Sequence, residues 1–135
     1  MATIFSRIVS GEIPAYKVAE DDEFLAFLDI NPLVVGHTLV IPKKETDYIF
    51  DIADESYMKM WLFAKKVGRA VEKVVPCKRI GIAVLGLEVP HAHIHIVPLN
   101  TLYDIEFSRP KLKLTPEEFS ELVRKISNAY QESDQ

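Results

Sequence analysis

Apolar residues recur at Tyr57, Trp61, Ala64, Val67, Val71 and Val74, a spacing of three and four that predicts a helix from Asp54 to about Val75. Lys65, Lys66, Arg69 and Lys73 fall on its other side and read as a solvated face. A second helix is predicted over about 116–131, with Phe119, Leu122, Val123, Ile126 and Tyr130 as its stripe. Its start is marked three ways: Thr115 as N-cap, Pro116 at the first position, and Glu118 completing a capping box. Near the amino terminus, Ile4, Phe5 and Ile8 share one face of a short helix over residues 3–10 that Gly11 closes.

Between these helices the pattern is that of strands. Tyr16–Ala19 and Phe24–Leu28 flank the acidic turn Glu20–Glu23 and suggest an antiparallel hairpin. Asp29-Ile30-Asn31-Pro32 breaks the second strand, Gly36 precedes a third at His37–Ile41, and Pro42 is expected to end it. Arg79–Val84 forms a fourth, the short loop Leu85–Pro90 follows, and a fifth is expected from His91 to Val97, ended by Pro98. Residues 99–114 read as a surface connector. Neither repeats nor low-complexity segments interrupt the chain, so the pattern predicts one α+β domain with a mostly antiparallel sheet.

Composition narrows the class. Apolar residues are 48% and charged residues 27% of the 135, a globular balance. Sixteen Lys and Arg against twenty Asp and Glu leave a net charge of −4, which disfavours a nucleic-acid polymer or an anionic membrane surface as partner. Met1–Arg7 lacks the apolar stretch of a signal peptide, and no run approaches the roughly 20 residues of a spanning helix. A cytoplasmic location is the expectation. The single cysteine, Cys77, excludes an internal disulfide and a zinc site of several thiolates, and reads as a packed or half-exposed thiol.

Three of the four histidines lie within five residues, in His91-Ala92-His93-Ile94-His95-Ile96-Val97. On a strand such alternation puts the three imidazoles on one face and Ala92, Ile94 and Ile96 on the other. Successive rings then stand about 7 Å apart, close enough to converge on one small ligand. Two chemistries suit them. One is a metal site completed by Glu88, Asp29 or His37. The other is an anion site in which an imidazole attacks phosphorus while neighbouring rings donate hydrogen bonds. The spacing alone leaves both open.

The segment resembles the His-φ-His-φ-His-φ-φ signature (φ apolar) of the histidine triad (HIT) family. Further segments are similar to that family in the same order: Ile4–Val9 with Gly11–Pro14, Phe27–Pro32, and Gly36-His37-Thr38-Leu39-Val40-Ile41-Pro42-Lys43. The likeness spans roughly residues 3–98. It implies a HIT-like five-stranded sheet with one main helix, a core domain over 1–98, and a carboxy-terminal extension over 99–135 packed on it. It implies a purine, AMP-like nucleotide as ligand and a homodimer whose sheet continues across the interface, with neither cofactor nor metal in the triad. His93 would attack the α-phosphorus and become nucleotidylated, His95 would contact the scissile or leaving oxygen, and His91 and His37 would brace the nucleophile. Asp29 would accept from the ribose hydroxyls, and Ile4, Phe5, Ile8, Phe27 and Ile30 would enclose the base. Gly86, Leu87 and Glu88 would border the phosphate. The resemblance therefore implies a nucleotidyl hydrolase or transferase acting on phosphoramidates or dinucleoside polyphosphates; a nucleotide-binding regulatory module with little catalysis is the alternative. The chain departs from the pattern before the triad: it has Ala83-Val84 where many members end a strand in Asn, and Glu88 where a hydroxyl is usual.

Overall fold

A computed structural model describes residues 2–133; Met1, Asp134 and Gln135, at the outer ends of the two expected spans, lie outside the described residues. The elements in order are α1 (Ile4–Val9), β1 (Lys17–Glu20), β2 (Phe24–Leu28), β3 (Thr38–Pro42), α2 (Asp54–Val74), β4 (Arg79–Ala83), β5 (Ile94–Leu99) and α3 (Pro116–Glu132). Two 3-10 turns, Ile49–Asp51 and Leu102–Ile105, complete them. The strands form one five-stranded sheet in the order β1-β2-β3-β5-β4, every neighbouring pair antiparallel. This is the α+β, HIT-like arrangement expected.

Alternation along the strands divides the core in two. Ala26, Leu28, Val40, Ile94 and Ile96 face α2, where Met60, Phe63, Ala64, Val67 and Val71 bury against them. The opposite face carries Leu25, Phe27, Leu39 and Ile41, which α1 covers with Phe5 and Ile8. His95 of β5 stands on this second face beside Leu39, and His91 and His93, just before the strand, meet Phe5 of α1. The triad segment is thus anchored from behind by α2 and faced in front by α1. Helix α3 packs outside α2 and β1, with Phe119 stacked on Tyr16 at 4.6 Å and Tyr130 against Phe63 at 5.9 Å. Its capping box is formed as expected, Thr115 Oγ1 accepting from Glu118 N–H and Glu118 Oε1 from Thr115 N–H.

Two local expectations are corrected and a third is refined. Strand β5 starts at Ile94 rather than His91, because Ala92 N–H is bonded to Thr46 O (2.7 Å) and His91 N–H to Val89 O (2.8 Å) instead of to a strand partner. Pro42 is the last residue of β3, as expected, but Pro98 lies inside β5 rather than ending it. Pro98 is tolerated because it falls beyond the last β3–β5 pair, Thr38↔Ile96, where that side of the strand has no ladder to lose. The connector 99–114 is structured: a capping box between Thr101 and Asp104 opens its 3-10 turn, and Leu112 N–H reaches Pro32 O at 2.8 Å. Among the described residues, no helix is long and apolar enough to cross a membrane.

Candidate active site

All four imidazoles are buried: His37 is 2% exposed, His91 0%, and His93 and His95 8% each. Burial forces each ring nitrogen to find a partner, and backbone groups decide which nitrogen keeps its proton. Leu33 N–H donates to His37 Nδ1 at 3.0 Å, so the His37 proton sits on Nε2. That Nε2 lies 3.0 Å from His95 Nδ1 and donates to it, which leaves the His95 proton on its own Nε2. On His93 the order is reversed. Its Nδ1 lies 2.8 Å from His91 O and must donate, so Nε2 carries the lone pair. His91 Nε2 donates to Pro42 O at 2.8 Å, and its Nδ1 accepts from Thr3 Oγ1 at 2.9 Å. The outcome is one imidazole with a free lone pair, His93, beside one with a free N–H, His95, their ring centres 4.9 Å apart.

Electrostatics agree with these tautomers. Burial, with the neighbouring His95, pushes the His37 pKa down to about 3, and burial next to His93 pushes His95 down to about 4. His91 is lowered as well, chiefly by burial. Protonating His37 would aim a second hydrogen at Leu33 N–H, and protonating His95 would aim one at His37 Nε2–H. Asp29 sits at the edge, Oδ1 accepting from Asn31 N–H at 2.9 Å and Oδ2 3.7 Å from His37 Nε2; burial raises its pKa.

Asp29, His37 and His95 each offer an atom within 4.8 Å of the others, a spacing a metal ion could use. The hydrogen bonding argues against that use. His37 has one nitrogen accepting from Leu33 and the other protonated, so as arranged it has no lone pair to give a metal.

Of the residues expected around a nucleoside, Phe5, Ile8 and Phe27 share one buried cluster, with Phe5 and Phe27 edge to face at 5.6 Å. Phe5 also sets its ring against His93 at 5.0 Å. Ile4 and Ile30 are 49% and 62% exposed, so any base held there lies in an open slot. Gly86, Leu87 and Glu88 border a cavity of about 230 Å³ that also reaches His93 and His95. Gly86 takes φ 73°, a left-handed turn that suits glycine, and the loop presents Glu88 to solvent. Across that loop a larger cavity of about 510 Å³, lined by Tyr48, Phe50, Tyr57 and Trp61, also touches His93. None of Ile4, Phe5, Ile8, Phe27, Asp29 and Ile30 lines either cavity.

A model of the HIT domain matches residues 10–102. The chain belongs to the HIT family. An uncharacterized HIT-like protein of Borreliella burgdorferi is 40% identical over 132 residues, 92% of this chain and 95% of its own. The adenosine 5'-monophosphoramidase of Schizosaccharomyces pombe is 37% identical over 131 residues, 95% of this chain and 98% of its own. Among solved structures, a HIT-like protein of Bartonella henselae superposes with a TM-score of 0.81 at 32% identity, covering 94% of this chain and 95% of that one. These likenesses extend through the segment after residue 98.

Several site residues escape a motif-based reading of this HIT protein. Thr3 both caps α1, accepting from Ser6 N–H at 3.0 Å, and holds His91; Glu45 in turn accepts from Thr3 N–H (3.0 Å) and Ser6 Oγ (2.5 Å). A small hydroxyl at the first position of the predicted helix was the available signal for Thr3. Phe107 sets its ring on His95 at 4.8 Å, and Lys111 lines the smaller cavity. Nothing local in the sequence marks these two.

Proposed function

We propose that this protein is a nucleotidyl hydrolase or transferase that cleaves at the α-phosphorus of purine nucleotide phosphoramidates, or of dinucleoside polyphosphates, through a nucleotidyl-histidine on His93. The supporting observation is the set of tautomers that the backbone imposes. His93 Nε2 is the one imidazole nitrogen of the cluster with both a lone pair and access to a cavity. In the first step a bond forms from Nε2 to phosphorus and the bond from phosphorus to the leaving nitrogen or oxygen breaks. The electron pair departs with the leaving atom, which takes a proton from solvent. The ring then bears positive charge, and His91 O, already bonded to Nδ1–H, stabilises it. His95 Nε2–H, its orientation fixed by His37, donates to the scissile or leaving atom. Water then attacks phosphorus and gives a proton to solvent, the bond to Nε2 breaks with its electron pair returning to the ring, and the nucleoside monophosphate leaves.

In this reading Asp29 accepts from the ribose hydroxyls, with Ile4, Phe5, Ile8, Phe27 and Ile30 around the base and the loop Gly86–Glu88 along the phosphate. Residues 1–98 act as the core and 99–135 as an extension, in the cytoplasm. The family resemblance and the phosphoramidase relative of fission yeast support the substrate class. A second reading, a regulatory nucleotide-binding module, is favoured by Glu88 and by Ala83-Val84 in place of the usual Asn. One experiment separates them. Adenosine 5'-phosphoramidate mixed with the protein should yield AMP, and His93→Ala should abolish this while still binding AMP. AMP binding by the unaltered protein without turnover would favour the module; equal turnover by His93→Ala would remove His93 from the chemistry.

A further inference from the structure

The site has an unbalanced charge. His37, His91 and His95 are held neutral by burial, so they offer hydrogen bonds without positive charge. Glu88 borders the cavity and Asp29 stands 3.7 Å from His37, and both add carboxylates. An α-phosphoryl group is an anion, and neutral donors beside two carboxylates make a poor electrostatic match for it.

One cation reaches the cavity. Lys111 lines it together with His93, His95 and Glu88. Its Nζ donates to Phe107 O at 2.5 Å and to Arg109 O at 2.9 Å, two carbonyls of its own loop. An ammonium has three N–H groups, so one is left for a ligand. The loop is itself held: Leu112 N–H bonds Pro32 O, just past Asp29, and the Phe107 ring abuts His95. The Lys111 charge is felt at both Asp29 and His37. Arg109, another cation of the loop, is taken up by Asp104 at 3.4 Å and by the Tyr103 ring.

We propose that Lys111 is the counter-charge of the phosphate site: its ammonium, held by two backbone carbonyls of the connector, binds the phosphate of the nucleotide. This rests on reading the cleft as a nucleotide phosphate site. It gives residues 99–114 a function in substrate recognition rather than in packing alone.

Calorimetry with AMP and with adenosine, on the whole protein and on Lys111→Gln and Lys111→Arg, tests it. Lys111→Gln should weaken AMP binding about tenfold, as expected for a lost charge-assisted hydrogen bond, and leave adenosine binding unchanged. Lys111→Arg should restore most of the AMP affinity, and the whole protein should lose its preference for AMP over adenosine as salt is raised. Undiminished AMP binding by Lys111→Gln overturns the inference while the nucleotide reading stands. Equal losses for AMP and adenosine also overturn it, since they would show a structural role for the loop. A whole protein that binds neither ligand overturns both.

Discussion

Taking the protein from about pH 7.5 to pH 5 should cost the fold about 4 kcal/mol through His37 and His95 alone. Both have an ordinary pKa of 6.5 in the unfolded chain and are pushed down in the fold, to about 3 and about 4. A base with a depressed folded pKa binds more protons unfolded than folded. Its contribution is therefore complete above pH 6.5 and is lost as pH falls from there toward the folded value. At pH 5 the unfolded imidazole is almost fully protonated and the folded one almost bare, which amounts to about 2 kcal/mol for each ring. The physical cause is specific to the site: burial, plus the fact that each accepting nitrogen already faces an N–H, from Leu33 in one case and from His37 in the other. His91, also lowered, adds in the same direction, while Asp29, raised by burial, opposes it.

Urea unfolding followed across this pH range measures the effect, and above pH 5 the exposed carboxylates stay ionised in both states and contribute little. The slope should approach two protons taken up on unfolding. Imidazole C–H resonances of the folded protein give the site-resolved check: those of His37 and His95 should not shift between pH 7.5 and 5. A flat stability profile, or a resonance of either residue titrating near 6.5, would refute both the depressed pKa values and the hydrogen-bond order from which the His93 lone pair is deduced.

Two further predictions concern the frame around the site. Gly36→Ala should destabilise the protein by about 2–4 kcal/mol in urea, since φ is 93° and a Cβ would stand 2.8 Å from Val75 Cγ2 and 3.2 Å from Pro98 Cγ; a loss below about 0.5 kcal/mol would show that the turn before His37 relaxes freely. We also propose the homodimer, joined along edge strand β4: Ile82 is 46% exposed on a groove of about 520 Å³ between β4 and α2, and Trp61, which lines the same groove, has its Nε1 buried without an acceptor among the described residues. Light scattering at micromolar concentration should give twice the 15.4 kDa chain mass, and a monomer would refute it.

What could be read from the chain was whatever rests on short spacing. The alternation of His and apolar residues put three rings on the face opposite Ile94 and Ile96, and Thr115-Pro116-Glu118 marked the start of α3 within a residue. Apolar character alone was less informative on α2, where Met60 and Phe63 turn into the protein's own core while Met58 is 61% exposed. Features set by distant partners were hidden. The late start of β5 depends on Thr46 O, the His91 support on Thr3, and the position of Lys111 on a bond between Leu112 and Pro32. Hydrogen bonds of this kind leave no period in a sequence, so an aromatic and a lysine in a polar connector look like any other surface residues.

The acid sensitivity and the chemistry have a common origin. An imidazole can attack phosphorus only while a nitrogen lone pair is free, and a second can donate predictably only while its tautomer is fixed. Burying the rings against Leu33 N–H, His91 O and Pro42 O secures both conditions, and the same burial excludes the proton that would otherwise add positive charge. A site organised this way must take its cation from a group that stays charged at every working pH and lies outside the buried cluster. A lysine on the rim meets that requirement and a fifth histidine would not, which is why the connector after β5 is the place to look for the determinant of phosphate affinity.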